Sequence, residues 1–272
     1  MFNNIKSCFI QVCLIFLYFT NFTFTQSNTI KFKHIGSDEG LSQNFISCIL
    51  QDKKGFMWFG TKDGLNRYDG YSFVVYQHDS FDSTTISSSY ITTLFEDSRG
   101  LIWVGTLNGG LNCFDRKTET FKHINYSSGL LKNFIDYEIK SIAEDKDGNI
   151  WIAIRGFGLV RLIINNHSPL EISEQPVTLK SDDRNIPYFN IITCLKFDSK
   201  NMLWIGTENG LMKYNPVDKK ITGYEVRTKN TKAPSSMYDK NVGAIYESKD
   251  GDFWLGTLSG LVKFDRSNGT YR

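Results

Sequence analysis

An all-β fold, a β-propeller built of four-stranded antiparallel blades, is predicted by three features of this sequence. Five Trp residues, Trp58, Trp103, Trp151, Trp204 and Trp254, follow one another at intervals of 45, 48, 53 and 50 residues, the period at which a four-stranded blade repeats. The same frame of side chains recurs around each of them. The composition, 21 Phe and 13 Tyr against 5 Pro in 272 residues, suits strands better than helices.

The frame defines each strand in turn. Twelve residues before the Trp stand Ile46, Ile91, Ile139, Ile192 and Val242, and nine before it stand Ile49, Leu94, Ile142, Leu195 and Ile245. These mark the first strand of each blade. Six before it come Asp52, Asp97, Asp145, Asp198 and then Ser248; three before it come Gly55, Gly100, Gly148, Asn201 and Gly251. Asp-x-x-Gly is hairpin chemistry, because Asp bonds nearby backbone amides and Gly accepts positive φ. The Trp sits in the second strand, residues 57–61 in the first copy. After it, four repeats read apolar-Gly-Thr, whereas the third reads Ile152, Ala153 and Ile154. A Gly in a strand marks close backbone approach, here of neighbouring sheets. The pairs Gly64-Leu65, Gly110-Leu111, Gly158-Leu159, Gly210-Leu211 and Gly260-Leu261 turn the chain into the third strand. A fourth strand follows at residues 71–77 and 121–124. Ten residues before the Trp all side chains are small: Cys48, Thr93, Ser141, Cys194 and Ala244. That repetition predicts core packing for the two cysteines rather than redox chemistry. The fixed place of each Trp inside a strand likewise predicts blade-to-blade packing rather than sugar stacking.

The remaining features bound domains and function. Lys6 and the apolar run 8–19, interrupted only by Gln11, read as a secretory signal peptide over residues 1–25 with cleavage near Thr25, because a run of about a dozen residues is too short to span a bilayer. Residues 26–272 are then the propeller, with repeats at approximately 42–80, 87–125, 135–180, 188–227 and 238–272. No membrane span is expected after the signal peptide, and the expected location is the periplasm. A formal charge of +2 without a basic, aromatic-interleaved stripe argues against nucleic acid. After the signal peptide three cysteines remain, Cys48, Cys113 and Cys194, with no Cys-x-x-Cys, so neither a disulfide framework nor a zinc site is read. The four His residues lack metal-ligand spacing. The segment Asp145-Lys146-Asp147-Gly148 is read as the repeated turn rather than a calcium loop. No catalytic constellation and no cofactor are expected.

A binding site is expected where loops converge. In a four-stranded blade the turns between second and third strands and the loops leading into the first strand emerge on one face. The variable chemistry sits there: Tyr90, Tyr137, Tyr188 and Tyr238 before the first strands, Arg155 and Phe157 in the divergent third repeat, and Asn108 and Asn209 in the turns. Flat aromatic faces with Arg and Asn donors would suit an oligosaccharide; pinning of the loops is the plainer role for any one of them.

The frame resembles the two-component regulator propeller repeat. The stretches that carry the resemblance are Gly40-Leu41-Ser42-Gln43-Asn44, then Gln51-Asp52 through Gly55-Phe56-Met57-Trp58-Phe59-Gly60-Thr61, then Asp63-Gly64-Leu65-Asn66-Arg67-Tyr68-Asp69-Gly70, with the Ser- and Thr-rich segment 83–89 as an inter-blade loop. It covers roughly residues 30–272. The resemblance implies the periplasmic sensor region of a bacterial hybrid two-component histidine kinase. Such a region commonly carries two seven-bladed propellers, an immunoglobulin-like domain, a membrane helix and the kinase, and commonly responds to oligosaccharides. Here five repeats are present and no kinase motif is. The expectation is therefore the ligand-sensing part of such a system, an N-terminal fragment, glycan-related and not itself an enzyme. The alternatives are a propeller-scaffold enzyme (polysaccharide lyase or quinoprotein-like) and a non-functional fragment of a longer sensor. An incomplete seven-bladed propeller is favoured over a closed five-bladed ring, with residues 30–35 as a closing strand. The partners expected are an oligosaccharide and either a homodimer mate or a downstream sensor-kinase portion.

Overall fold

The computed structural model describes residues 32–124, 137–167, 170–177, 179, 191–224 and 240–271. Residues 1–35 and 36–272 are separate compact units. Of the first, residues 32–35 carry no regular structure, and residues 30 and 31 of the expected closing strand, like the signal peptide, lie outside the described residues.

The second unit is a β-propeller of five four-stranded antiparallel blades, each with its strands in sequence order. Blade one is β1 (Ile46–Gln51), β2 (Met57–Thr61), β3 (Gly64–Tyr68) and β4 (Phe73–Tyr76). Blade two is β5 (Ile91–Glu96), β6 (Ile102–Thr106), β7 (Leu111–Asp115) and β8 (Thr120–His123). Blade three is β9 (Ile139–Glu144), β10 (Ile150–Ile154), β11 (Gly158–His167) and β12 (Leu170–Val177). Blade four is β13 (Ile192–Phe197), β14 (Leu203–Thr207), β15 (Gly210–Tyr214) and β16 (Ile221–Tyr224). Blade five is β17 (Val242–Glu247), β18 (Phe253–Thr257), β19 (Gly260–Asp265) and the short β20 (Thr270–Tyr271). The long outer hairpin of β11 and β12 is a departure that the repeat does not foreshadow; Ile164 and Leu170 there pack on the core shared with blade two.

The repeated Asp builds the turn between first and second strands. Asp52 Oδ1 accepts hydrogen bonds from the amides of Lys54 (3.0 Å) and Phe56 (2.9 Å), and Gly55 takes φ 92°. In repeat four Asn201 holds the same left-handed conformation at φ 60°, which Asn tolerates better than most side chains.

The first strands β1, β5, β9, β13 and β17 touch in succession. A bulge after the first residue of β1, β5 and β13 leaves one hydroxyl free to reach the next blade. Ser47 Oγ donates to the Ile91 carbonyl and Thr92 Oγ1 to that of Ile139, each at 2.6 Å; Thr193 donates to Val242 in the same way.

The core consists of the junctions between consecutive blades. Trp58, Trp103, Trp151 and Trp204 are at most 1% exposed, and each lies under the following blade. Trp58 meets Phe114 edge-on at 5.2 Å, Trp151 meets Tyr214 at 5.9 Å and Trp204 meets Phe253 at 4.9 Å. The Gly two residues past the Trp is required by this closeness: a Cβ on Gly60 would stand 2.5 Å from Cys48 Sγ and 2.7 Å from Ile91 of blade two. Cys48 and Cys194 fill the junctions as expected. Burial pushes their thiols up to about 11, and that of Cys113 to about 12.

Candidate functional site

The face carrying the turns between first and second strands is a structural lattice. The second carboxylate oxygen of each repeated Asp accepts from the indole N–H six residues on: Asp52 from Trp58 (2.8 Å), Asp97 from Trp103 (3.1 Å), Asp145 from Trp151 (2.9 Å) and Asp198 from Trp204 (2.8 Å). Each of these buried carboxylates also meets an Arg, as a buried charge requires. Arg116 of blade two reaches back to Asp52 at 2.7 Å, and Arg266 of blade five to Asp198 at 3.4 Å. Asp97 is met by Arg99 from its own turn and Asp145 by Arg161 from its own third strand. Burial raises the Asp52 carboxyl, but the bonds from Trp58 and Arg116 outweigh it and hold the group below the ordinary value; in Asp145 Trp151 and Asn149 do the same against burial. A second carboxylate series clamps the junctions. Glu96 accepts from the Lys53 amide, Glu144 from Ser98 and Glu247 from Ser199, each on the preceding blade.

The opposite face gathers the residues singled out for binding. There the turn after the second strand bonds back to the residue preceding the first strand: Leu107 N–H to the Tyr90 carbonyl (2.9 Å), Arg155 to Glu138 (3.0 Å) and Glu208 to Ile191 (3.3 Å). Turn and lead-in thus share one surface on blades two, three and four. On blade two this links half-buried Tyr90 to the neighbourhood of exposed Asn108, which takes φ 58°. Tyr90 also lies beside Lys62 of blade one, whose ammonium stands 5.7 Å from its ring and 4.1 Å from that of Phe45. On blade three Arg155 pairs with Glu138 at 3.1 Å, and Glu138 also holds Lys140 at 2.9 Å. The exposed Tyr137 ring borders the same turn, 3.7 Å from where a Cβ on Gly156 would stand. Asn209 is half-buried on blade four, its amide bonded to Thr207 Oγ1.

Phe157 serves differently: half-buried, it packs against the core between blades two and three. Tyr188 and Tyr238 lie outside the described residues. Residue-by-residue reading missed Phe45, Lys62, Glu138 and Lys140. The signal for Lys140 was a broken repeat, since it stands where Ser47, Thr92 and Thr193 staple one blade to the next. This surface presents aromatic edges, two cations clamped on the Glu138 carboxylate, and amide side chains. Among the described residues no group of three His, Cys, Asp or Glu could hold a metal ion, and no helix is long and apolar enough to cross a membrane.

Comparison with known proteins supports the repeat assignment. The model of the two component regulator propeller family matches residues 40–63, 85–108, 133–156, 189–209 and 239–259, one segment per blade. Over 62 residues, 23% of this chain, the sequence is 45% identical to Histidine kinase P4 of Formosa agariphila, and the match covers 4% of that protein's length. The crystal structure of the extracellular domain of the hybrid two component system BT3049 from B. thetaiotaomicron superimposes with a TM-score of 0.72 at 25% identity, over 88% of this chain and 31% of that one. Virginiamycin B lyase from Staphylococcus aureus shares the fold alone, with a TM-score of 0.58 at 15% identity over 82% of this chain and 67% of that one. This chain therefore spans about a third or less of the length of its signalling relatives. Its five blades are two-component regulator propeller repeats.

Proposed function

We propose that this chain is an extracytoplasmic, non-catalytic ligand-sensing propeller of a two-component signalling system, exported through its N-terminal signal peptide, with a glycan as the ligand class. The observation that carries the reading is the coincidence of five regulator propeller segments with a surface that collects Tyr90, Tyr137, Arg155 and Asn108 at the turns bonded to the first strands. Rings with one polar edge and hydrogen-bonding side chains orient sugars through their flat faces and hydroxyls. Similarity to an extracellular domain of a hybrid two component system supports the compartment. Glycan-array screening followed by calorimetry tests the site. Binding should weaken in each of Tyr90→Ala, Tyr137→Ala and Arg155→Ala and should leave the glycan intact. Affinity unchanged in all three would remove this surface from the reading, and turnover of any glycan would replace it with an enzymatic one.

A further inference from the structure

The junction between blades three and four departs from the junction between blades one and two at four matched positions. Where Arg116 follows the third strand of blade two, Pro216 follows that of blade four. Where Glu96 closes the first strand of blade two and pairs with Arg116, Phe197 closes that of blade four, opposite Leu203 as Glu96 is opposite Ile102. Tyr76 of blade one stacks along Trp58 at 6.1 Å, as Tyr224 of blade four does along Trp204 at 5.7 Å. Blade three carries the smaller Val177 there, opposite Leu159 as Tyr76 is opposite Leu65. The fourth position reverses a charge. Arg67, opposite Trp58, pairs at 2.7 Å with Glu119 in the turn between the third and fourth strands of blade two. Arg161 stands opposite Trp151 in the same way, but the matching turn residue of blade four is Lys219. Glu119 and Lys219 take the same left-handed conformation, at φ 56° and 60°.

Pro for Arg and Val for Tyr open a cavity of about 220 Å³, lined by Arg161, Val177, Tyr214, Pro216 and Lys219 among others. Its charge is unbalanced. Between blades one and two, Arg67 and Arg116 meet three carboxylates, Asp52, Glu96 and Glu119. At the matching positions between blades three and four, Arg161 and Lys219 stand against Asp145 alone. Exposed Asp147 lies 3.9 Å from the same Nη2 of Arg161 that meets Asp145, and Asp218, beside Lys219, accepts from the Lys220 amide. The Arg161 side chain is 23% exposed, yet its Nε is buried and has no hydrogen-bond partner. A buried donor without an acceptor is costly, and a guanidinium offers its remaining donors in a fork that matches a carboxylate.

We infer that this cavity binds a small organic carboxylate bearing one ring. The carboxylate lies between Arg161 and Lys219, where Glu119 stands at the other junction, and the ring lies against Val177 and Pro216, in the space that Tyr76 and Arg116 fill there. The volume is below the roughly 300–1,000 Å³ that holds drug-sized ligands, so it suits a single ring. The site shares no residue with the turn-and-lead-in surface assigned to a glycan. The test is ligand-observed NMR and calorimetry on the purified chain with benzoate and D-glucuronate, against benzyl alcohol, D-glucose and acetate. At least one of the two ring acids should bind saturably at millimolar concentration, and the tighter of them distinguishes an aromatic acid from a sugar acid. Lys219→Glu supplies the carboxylate from the chain itself, as in blade two, and Val177→Tyr supplies the ring, as in blade one. Each should weaken binding by at least about tenfold, while Lys117→Glu, the same charge change on an exposed turn of blade two, should leave it unaltered. Both site variants copy residues that this fold already holds at matching positions, and circular dichroism checks that they keep the β fold. Failure of both ring acids to bind overturns the inference, as does equal binding of a neutral or ringless probe. Binding that survives Lys219→Glu or Val177→Tyr in the folded chain, or that Lys117→Glu weakens equally, overturns it too.

Discussion

Replacing Arg116 by Met should loosen the junction between blades one and two by about 3 kcal/mol, at the low end of what removal of one partner from a buried ion pair costs. The guanidinium is 17% exposed and lies 2.7 Å from Asp52, which is fully buried, and 2.9 Å from Glu96, and it also donates to the Gly100 carbonyl. The low end applies because Asp52 keeps its bonds from Trp58, Phe56 and Lys54, and because Met preserves most of the apolar stem. In an Asp52→Ser background, which copies the residue at this position of blade five, the same replacement should cost less, about 1–2 kcal/mol, since of the two carboxylates that Arg116 meets only Glu96 is left. Urea unfolding followed by Trp fluorescence reads the total, and hydrogen exchange in β1 and β2 reads the junction itself. The pH dependence gives an independent sign. Asp52 titrates below its ordinary value in the fold, so its contribution is complete above the unfolded-state value and is lost as pH falls through the lowered folded one. The difference between wild type and Arg116→Met should therefore shrink in acid. Equal cost of Arg116→Met in both backgrounds, or a difference that grows in acid, would refute the argument.

Two further outcomes follow from the junctions. Because burial raises the Cys48, Cys113 and Cys194 thiols to about 11, 12 and 11, iodoacetamide at pH 8 should leave all three unmodified in the native protein and alkylate them in denaturant; native labelling of any one, read by peptide mass spectrometry, would contradict its packing role. Gly60→Ala should destabilise by about 1–3 kcal/mol through overpacking against Cys48 and Ile91, and adding Cys48→Ala should recover part of that loss in the same unfolding assay, since blade five already pairs Ala244 with Gly256.

The periodic part of this architecture was legible in the sequence because it is enforced at fixed offsets. The Trp interval set the blades, Asp-x-x-Gly set the turns, and the small residue ten before the Trp marked where blades meet. The Asp-to-Trp bond sits at a fixed offset too, and Ser248 showed where it lapses, but the turn role of Asp masked its second one. The Arg residues were not legible, because space rather than register selects them. Arg116 and Arg266 come from the following blade, Arg99 from the same turn and Arg161 from the same third strand. The candidate surface was readable as a shared face of turns and lead-in segments and less so as a set of residues: Phe157 turned inward to the core, while Glu138 and Lys140 stand out only through the ion pairs that place them beside Arg155.

The hydroxyl staples between first strands have a consequence for how the chain acquires its structure. Ser47 to Ile91 spans 44 residues, Thr92 to Ile139 spans 47 and Thr193 to Val242 spans 49, so each joint is wired about one repeat apart. Even the longer Arg reaches, Arg116 to Asp52 and Arg266 to Asp198, span 64 and 68 residues. Loop-closure entropy grows only slowly with length and is met afresh, at nearly the same size, for every joint. Assembly can therefore advance from the N-terminus one unit at a time, each finished sheet templating its successor, as in quasi-one-dimensional arrays. A chain emerging in that direction from a ribosome or a secretion pore would need only about one further repeat outside the exit before its latest joint could lock.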